Sequence, residues 1–84
     1  MTRYSYKTNG TCSSQINFDL DAQKKIHNVE FIGGCHGNLQ GISKLIEGMN
    51  AKDISVKLSS IRCGNKQTSC PDQLSRAIKE ALNS

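Results

Sequence analysis

At residues 31–39 the sequence reads Phe31-Ile32-Gly33-Gly34-Cys35-His36-Gly37-Asn38-Leu39, and the period of its hydrophobic residues changes across this stretch. Before it, Ile26 to Ile32 alternates in the manner of a strand, with Val29 and Phe31 facing inward. After it, apolar residues recur every three or four positions, as in an amphipathic helix: Leu39, Ile42, Leu45, Ile46 and Met49. The stretch therefore predicts a strand that passes through a glycine-rich loop into a helix.

Two further strands are predicted upstream. Arg3 to Thr8 alternates polar and aromatic residues, and it is followed by Asn9-Gly10, the dipeptide that best tolerates a hairpin turn. A polar turn is predicted at Asp21 to Lys25. Between the two turns lies a second alternating segment, whose inward residues are Ile16, Phe18 and Leu20.

These inward residues set an antiparallel register between the second and third strands. It predicts two cross-strand pairs, Phe18 with Val29 and Ile16 with Phe31. If the register continues without a bulge, it also places Cys12 opposite Cys35.

Two more helices are predicted downstream. Ala51 to Ser59 forms a short one that carries Ile54 and Leu58 on one face. The last begins at Thr68-Ser69-Cys70-Pro71-Asp72, where a hydroxyl can cap the helix, proline suits the first turn and the acid complements the positive end. Its buried stripe is predicted to be Leu74, Ala77, Ile78, Ala81 and Leu82. We therefore expect residues 1–84 to form one α+β domain, a three-stranded antiparallel meander with about three helices packed on one face, in two layers.

Composition narrows the classes of function. The net charge is +4 without any block of like charges, so a phosphate-bearing ligand is allowed but a nucleic-acid tail is not indicated. No apolar run approaches the roughly 18 residues of a membrane span, and the first residues are polar. We expect a cytoplasmic protein with no membrane partner. The outward face of the predicted sheet includes Ile32 and its edges are unpaired, which also suggests a homodimer.

The four cysteines, Cys12, Cys35, Cys63 and Cys70, are the candidate chemical site. Cys35 and Cys70 each lie just before a predicted helix, where free N–H groups favour the thiolate form. Three interpretations remain open: the thiols bind a metal, most naturally zinc, with His36 as a substitute ligand; a pair cycles between dithiol and disulfide; or the cysteines are small buried apolar side chains. The sequence has no CxxC pair, the usual signal of a zinc ribbon.

The glycine-rich loop is a second candidate site. Backbone N–H groups at Gly34, His36, Gly37 and Asn38 could hold an anion at a helix start. The alternative is that the glycines only allow a tight turn, since the stretch matches neither the Walker pattern nor GxGxxG. His36 is equally compatible with a hydrogen-bonding role in the loop. His27 is expected to be structural.

Three motifs in this chain together resemble the TSCPD domain family. They are Gly10-Thr11-Cys12-Ser13, the glycine-rich stretch Gly33 to Gly41, and Cys63 to Leu74, which contains Thr68-Ser69-Cys70-Pro71-Asp72. The resemblance spans nearly the whole chain, and its length fits a small stand-alone member.

The resemblance implies an association with deoxyribonucleotide synthesis, because a similar domain lies at the C-terminal end of adenosylcobalamin-dependent ribonucleotide reductases. A reductase needs a large barrel that 84 residues cannot build, so we expect no catalytic residues and no stand-alone enzyme. The expected function is that of an accessory or binding module for a reductase-like protein, a nucleotide or a nucleic acid. The alternative is a thiol–disulfide protein that passes electrons to a larger reductase.

Overall fold

A computed structural model describes residues 1–11, 13–34, 36–62, 64 and 66–83, with the backbone alone for His36. Within these residues the chain forms three strands, β1 (Thr2–Lys7), β2 (Ser13–Leu20) and β3 (Ile26–Gly33), followed by three helices, α1 (His36–Ile46), α2 (Ala51–Lys57) and α3 (Cys70–Leu82). The strands form one open antiparallel sheet in the order β1-β2-β3, and the helices cover one of its faces. The predicted α+β meander with helices on one face is confirmed.

The register between β2 and β3 is interrupted twice. Ile16 pairs with Phe31 as predicted, but Leu20 pairs with Ile26, one residue earlier than the predicted register allows. Asn28 has φ +54°, and the shift at this point also removes the simple pairing of Phe18 with Val29. A second shift lies between Ser13 and Gln15, so the assumption of a continuous register is wrong; the predicted pair Cys12 and Cys35 lies outside the described residues. Each shift is a β-bulge, which adds a residue to one strand and changes which side chains face the core.

The hydrophobic core lies between the sheet and the helices. Phe18 of β2 is fully buried and stacks on Tyr4 of β1, with ring centroids 5.6 Å apart. Ile26 is also fully buried, although the strict alternation through Val29 and Phe31 would turn it outward. The bulge at Asn28 accounts for this difference. The remaining core residues come from β2 and all three helices: Ile16, Leu20, Leu39, Ile46, Ala51, Ile54, Leu74, Ala77, Ile78 and Ala81.

Helix α1 is shorter than the hydrophobic spacing predicts. It ends at Ile46, and Gly48 has φ +78°, so Met49 lies beyond the helix and is only partly buried. Leu45 belongs to the apolar spacing that predicts this amphipathic helix, but its side chain is 80% exposed. Neighbouring residues of a helix point about 100° apart, so a helix that turns Ile46 inward leaves Leu45 on its flank.

The face of the sheet away from the helices is polar. The Arg3 guanidinium lies 3.4 Å from the Asp19 carboxylate and 3.2 Å from that of Glu30, so it connects β1 with both other strands. Asn17 donates a hydrogen bond of 3.0 Å to Glu30. A hydrogen bond from Asn28 and the charge of Arg3 outweigh desolvation and lower the pKa of Asp19.

The outer edge of β3 is partly covered by the segment between α1 and α2. Ile26 donates its N–H to the Met49 carbonyl at 2.9 Å, and its carbonyl accepts from the Gly48 N–H at 2.7 Å. The Asn28 N–H donates a hydrogen bond of 2.8 Å to the Glu47 carboxylate. The first half of this edge is therefore occupied by the chain itself.

Candidate functional site

The start of α3 is built by the residues that the sequence predicted. Ser69 is the N-cap, and its Oγ accepts a hydrogen bond of 3.1 Å from the Asp72 N–H. Pro71 lies in the first turn, where a missing N–H leaves no helical bond unmade. Cys70 is the first helical residue and is half-buried.

Asp72 has a role beyond complementing the helix dipole. Its buried carboxylate accepts hydrogen bonds from the Ser60 N–H at 2.6 Å and from the Thr68 hydroxyl, and it pairs with Arg76 at 3.1 Å. Burial raises the pKa of Asp72, but these hydrogen bonds and the Arg76 charge outweigh burial and lower it overall. Asp72 thus fixes the chain that leaves α2 to the start of α3.

The Cys70 thiol contacts the hydroxyl group of Ser13, from the other end of the sequence. Its Sγ lies 3.1 Å from Ser13 Oγ, and Ser13 is buried at the first position of β2. Thr11 Oγ1 lies 3.3 Å from the same Ser13 oxygen and donates to the Ser13 carbonyl at 3.1 Å, and Thr8 donates to that carbonyl as well. The thiol is not part of a disulfide.

Two glycines allow the loops to approach each other closely. Gly34 has φ +83°, and a Cβ there would lie 3.2 Å from the Ser13 backbone nitrogen. A Cβ at Gly10 would lie 3.3 Å from the Thr68 methyl group. The loop after β3 therefore packs on the start of β2, and the loop before β2 packs on the start of α3.

These contacts bring three segments to one end of the molecule. They contain Thr11 and Ser13, Gly34, and Cys70, so the chain neighbours of Cys12 and of Cys35 meet near the Cys70 thiol. Of the predicted metal ligands, Cys70 is described, while Cys12, Cys35 and Cys63 lie outside the described residues. In the part of the chain that the structure describes, no group of three or more His, Cys, Asp and Glu side chains is arranged to hold a metal ion.

In the predicted anion-binding loop, packing explains why one of the glycines is needed. Gly34 is required by its positive φ and its closeness to Ser13. Gly37 and Asn38 are exposed in the first turn of α1, and the space around Gly37 is open, while the side chain of His36 is outside the described part. Packing explains Gly34 without an anion, and the anion site remains a prediction.

Gln73 belongs to the same end of the molecule, and sequence reasoning missed it. Its side chain is fully buried; Oε1 accepts from the Asn9 N–H at 3.1 Å, and Nε2 donates to Thr68 Oγ1 at 3.0 Å. From sequence alone, a polar residue in the first turns of a helix is expected to face solvent. Its position four residues after the cap Ser69, on the same side of the helix as Leu74 and Ala77, is the only available signal.

A second polar cluster lies far from Cys70 in sequence. His27 Nδ1 lies 2.6 Å from Glu47, and its Nε2 lies 2.8 Å from Asp21; we call these three residues the carboxylate clasp. The hydrogen bonds to Asp21 and Glu47 raise the pKa of His27. The bond from His27, followed by backbone bonds, lowers the pKa of Asp21 to about 2. The clasp joins the β2–β3 turn to the end of α1, in agreement with a structural His27.

The structure therefore defines a small α+β protein with a thiol at a helix start where three loops meet. The family model of the TSCPD domain matches residues 1–82, and the chain belongs to the TSCPD domain family. No curated protein and no solved structure matches it significantly. None of the helices in the described part of the chain is long and apolar enough to cross a membrane.

Proposed function

We propose that this protein is a non-catalytic accessory module whose four thiols, Cys12, Cys35, Cys63 and Cys70, bind one metal ion, most naturally zinc. The observation that supports this proposal is the contact of Cys70 with Ser13, together with the packing of Gly34 on Ser13. Ser13 follows Cys12 in the chain and contacts the Cys70 thiol, and Gly34 precedes Cys35 and packs on Ser13.

The chemistry around Cys70 suits a thiolate-binding metal. Its sulfur contacts the Ser13 hydroxyl group, and the nearby carboxylate of Asp72 is occupied by Ser60, Thr68 and Arg76. Zinc prefers sulfur and nitrogen ligands and is typically held by four of them in structural sites. When bound, it would supply a tie between the loops and thus folding free energy to a chain near the lower size limit for a stable core.

Metal content and site-resolved alkylation test this proposal on the unmodified protein. Trypsin places each cysteine on its own peptide, with residues 8–24, 26–44, 63–66 and 67–76. We expect close to one zinc per chain, and a chelator should speed alkylation of all four peptides together while it lowers the melting temperature. The protein should be purified from cells grown with zinc in the medium. If it then contains no metal, or if the metal protects only Cys70 from alkylation, the four-thiol site is refuted.

A thiol–disulfide protein is the second candidate, and the partial exposure of Cys70 at a helix start favours it. In this case two thiols of the chain would form a disulfide, and the two electrons and two protons would reduce a disulfide of the partner to two thiols. Titration of metal-free protein in glutathione buffers should then give a reversible two-electron transition. A partner disulfide that stays oxidised when mixed with the reduced protein would exclude this function.

The proposed partner of either activity is a reductase-like protein in the cytoplasm. The sequence resemblance to the terminal domain of adenosylcobalamin-dependent ribonucleotide reductases supports this choice of partner. A nucleotide or nucleic acid is the alternative partner. NMR titration of labelled protein with deoxyribonucleoside triphosphates, single-stranded DNA and a reductase core should show shifts near Ser13 and Cys70 with the reductase core alone.

A further inference from the structure

Gln73 connects the two loops that meet at the Cys70 thiol. The residue lies one helical turn beyond Cys70, and its amide is fully buried. Both ends of the amide are used: the oxygen accepts from Asn9 at 3.1 Å, and the nitrogen donates to Thr68 at 3.0 Å. Asn9 belongs to the loop that leads into β2, and Thr68 belongs to the loop that leads into α3.

These bonds form one side of a closed arrangement. On the other side, Ser13 at the end of the first loop touches the Cys70 sulfur at 3.1 Å. A Cβ at Gly10 would lie 3.3 Å from the methyl group of Thr68, so the two loops pass close to each other here. The Gln73 amide and the Ser13–Cys70 contact therefore fix the distance and the angle between the two loops from opposite sides.

We propose that Gln73 is a positioning residue for the thiol site, which holds the loop before β2 at the distance from Cys70 that simultaneous ligation requires. This inference rests on the proposed metal-binding function. Residues that orient metal ligands from outside the coordination shell typically change metal affinity by about 10–100-fold when they are replaced. Without the amide, the Asn9 N–H loses its acceptor and the loop loses its bond to α3.

A matched pair of variants separates positioning from general stability. Gln73→Met keeps the side-chain length and removes both hydrogen bonds. Ser75→Ala removes the hydrogen bond of 2.6 Å from Ser75 to the Ser55 carbonyl, which joins the same helix to α2. Ser75 is as fully buried as Gln73 but faces the other helix.

The measurements are zinc affinity by chelator competition and the alkylation rate of peptide 67–76 in the metal-free proteins. We expect Gln73→Met to weaken zinc binding at least about tenfold relative to Ser75→Ala and to speed alkylation of Cys70 selectively. Equal zinc affinities and equal alkylation rates in the two variants would overturn the positioning role while leaving zinc binding itself intact.

Hydrogen exchange of the Asn9 amide in the unmodified protein provides a test that needs no variant. We expect this amide to be protected without zinc and more strongly protected with it. Exchange at the rate of an unfolded peptide would overturn the inference. If the unmodified protein binds no zinc, the four-thiol proposal fails, and selective alkylation of Cys70 in Gln73→Met would still support the positioning of the loops.

Discussion

Replacement of Gly34 by alanine is expected to destabilise the fold by about 2–4 kcal/mol. Gly34 has φ +83°, and a left-handed backbone costs a residue with a Cβ about 1–2 kcal/mol. The new Cβ would also lie 2.9 Å from Leu39 Cδ1 and 3.2 Å from the Ser13 backbone nitrogen. The Leu39 methyl can rotate away whereas the Ser13 backbone cannot, and this crowding adds roughly 1–2 kcal/mol.

Gly41 provides the matched control in the next helix. No atom lies within 4 Å of the position that its Cβ would take, and it lies inside α1. Alanine in a helix interior is favoured over glycine by about 0.5–1 kcal/mol, so Gly41→Ala should stabilise the protein. The two substitutions are chemically identical, and their opposite effects depend on the local backbone and its neighbours.

Urea unfolding, followed by circular dichroism, measures both free energies. A chain of 84 residues is expected to have a total stability of about 4–13 kcal/mol, so Gly34→Ala removes a substantial part of it. At about 4–8 °C per kcal/mol, its melting temperature should fall by at least about 8 °C. A Gly34→Ala protein that is as stable as the unmodified one would refute the close packing of the β3–α1 loop on Ser13.

Two further predictions concern the charged groups. Asp72→Ala should lower the free energy of urea unfolding by about 2–4 kcal/mol, because it leaves the Ser60 N–H without its acceptor. Arg76→Ala should lower it by less than about 1 kcal/mol, because the Arg76 side chain is half exposed. Equal losses in the two variants would contradict this account. The pKa of Asp72 is lowered, so the stability that its carboxylate contributes should be lost as the pH falls below 3.8. The Asp72→Ala variant should lack this part of the acid-induced loss of stability. The raised pKa of His27 means that the carboxylate clasp stabilises the fold below pH 6.5 and weakens as the pH rises through the folded pKa. NMR titration of the His27 ring protons should give a midpoint above 6.5, and an ordinary midpoint would show that the clasp is not formed.

Local sequence signals predicted the elements whose residues depend on near neighbours. Ser69 and Pro71 determine a helix start within three positions, and the alternation of Ile16 and Phe18 determines the inward face of β2. The same rules failed where a single backbone angle changes the alternation. Nothing in the sequence distinguishes Asn28, with its positive φ, from an asparagine in an ordinary strand or turn. The bulge at this residue nevertheless places Ile26 in the core.

The candidate site was predicted in part, because its contacts join distant residues. Cys70 was identified from its own helix start, whereas its contact with Ser13 spans 57 positions. The bond from Gln73 to Asn9 spans 64 positions and depends on the packing of a loop. No periodicity relates such positions, so the sequence could name the thiol but could not name the residues that surround it.

The partial cover on β3 has a consequence for assembly. A sheet with two equally available edges can add copies head to tail, with β1 of one molecule beside β3 of the next, and such addition does not close. Here Gly48 and Met49 already occupy the Ile26 end of the β3 edge, and Glu47 occupies the Asn28 N–H. The six residues of β1 are therefore the longer available edge, and pairing of β1 with β1 gives a closed two-fold dimer. We expect this built-in asymmetry to oppose the growth of fibres while leaving dimer formation open.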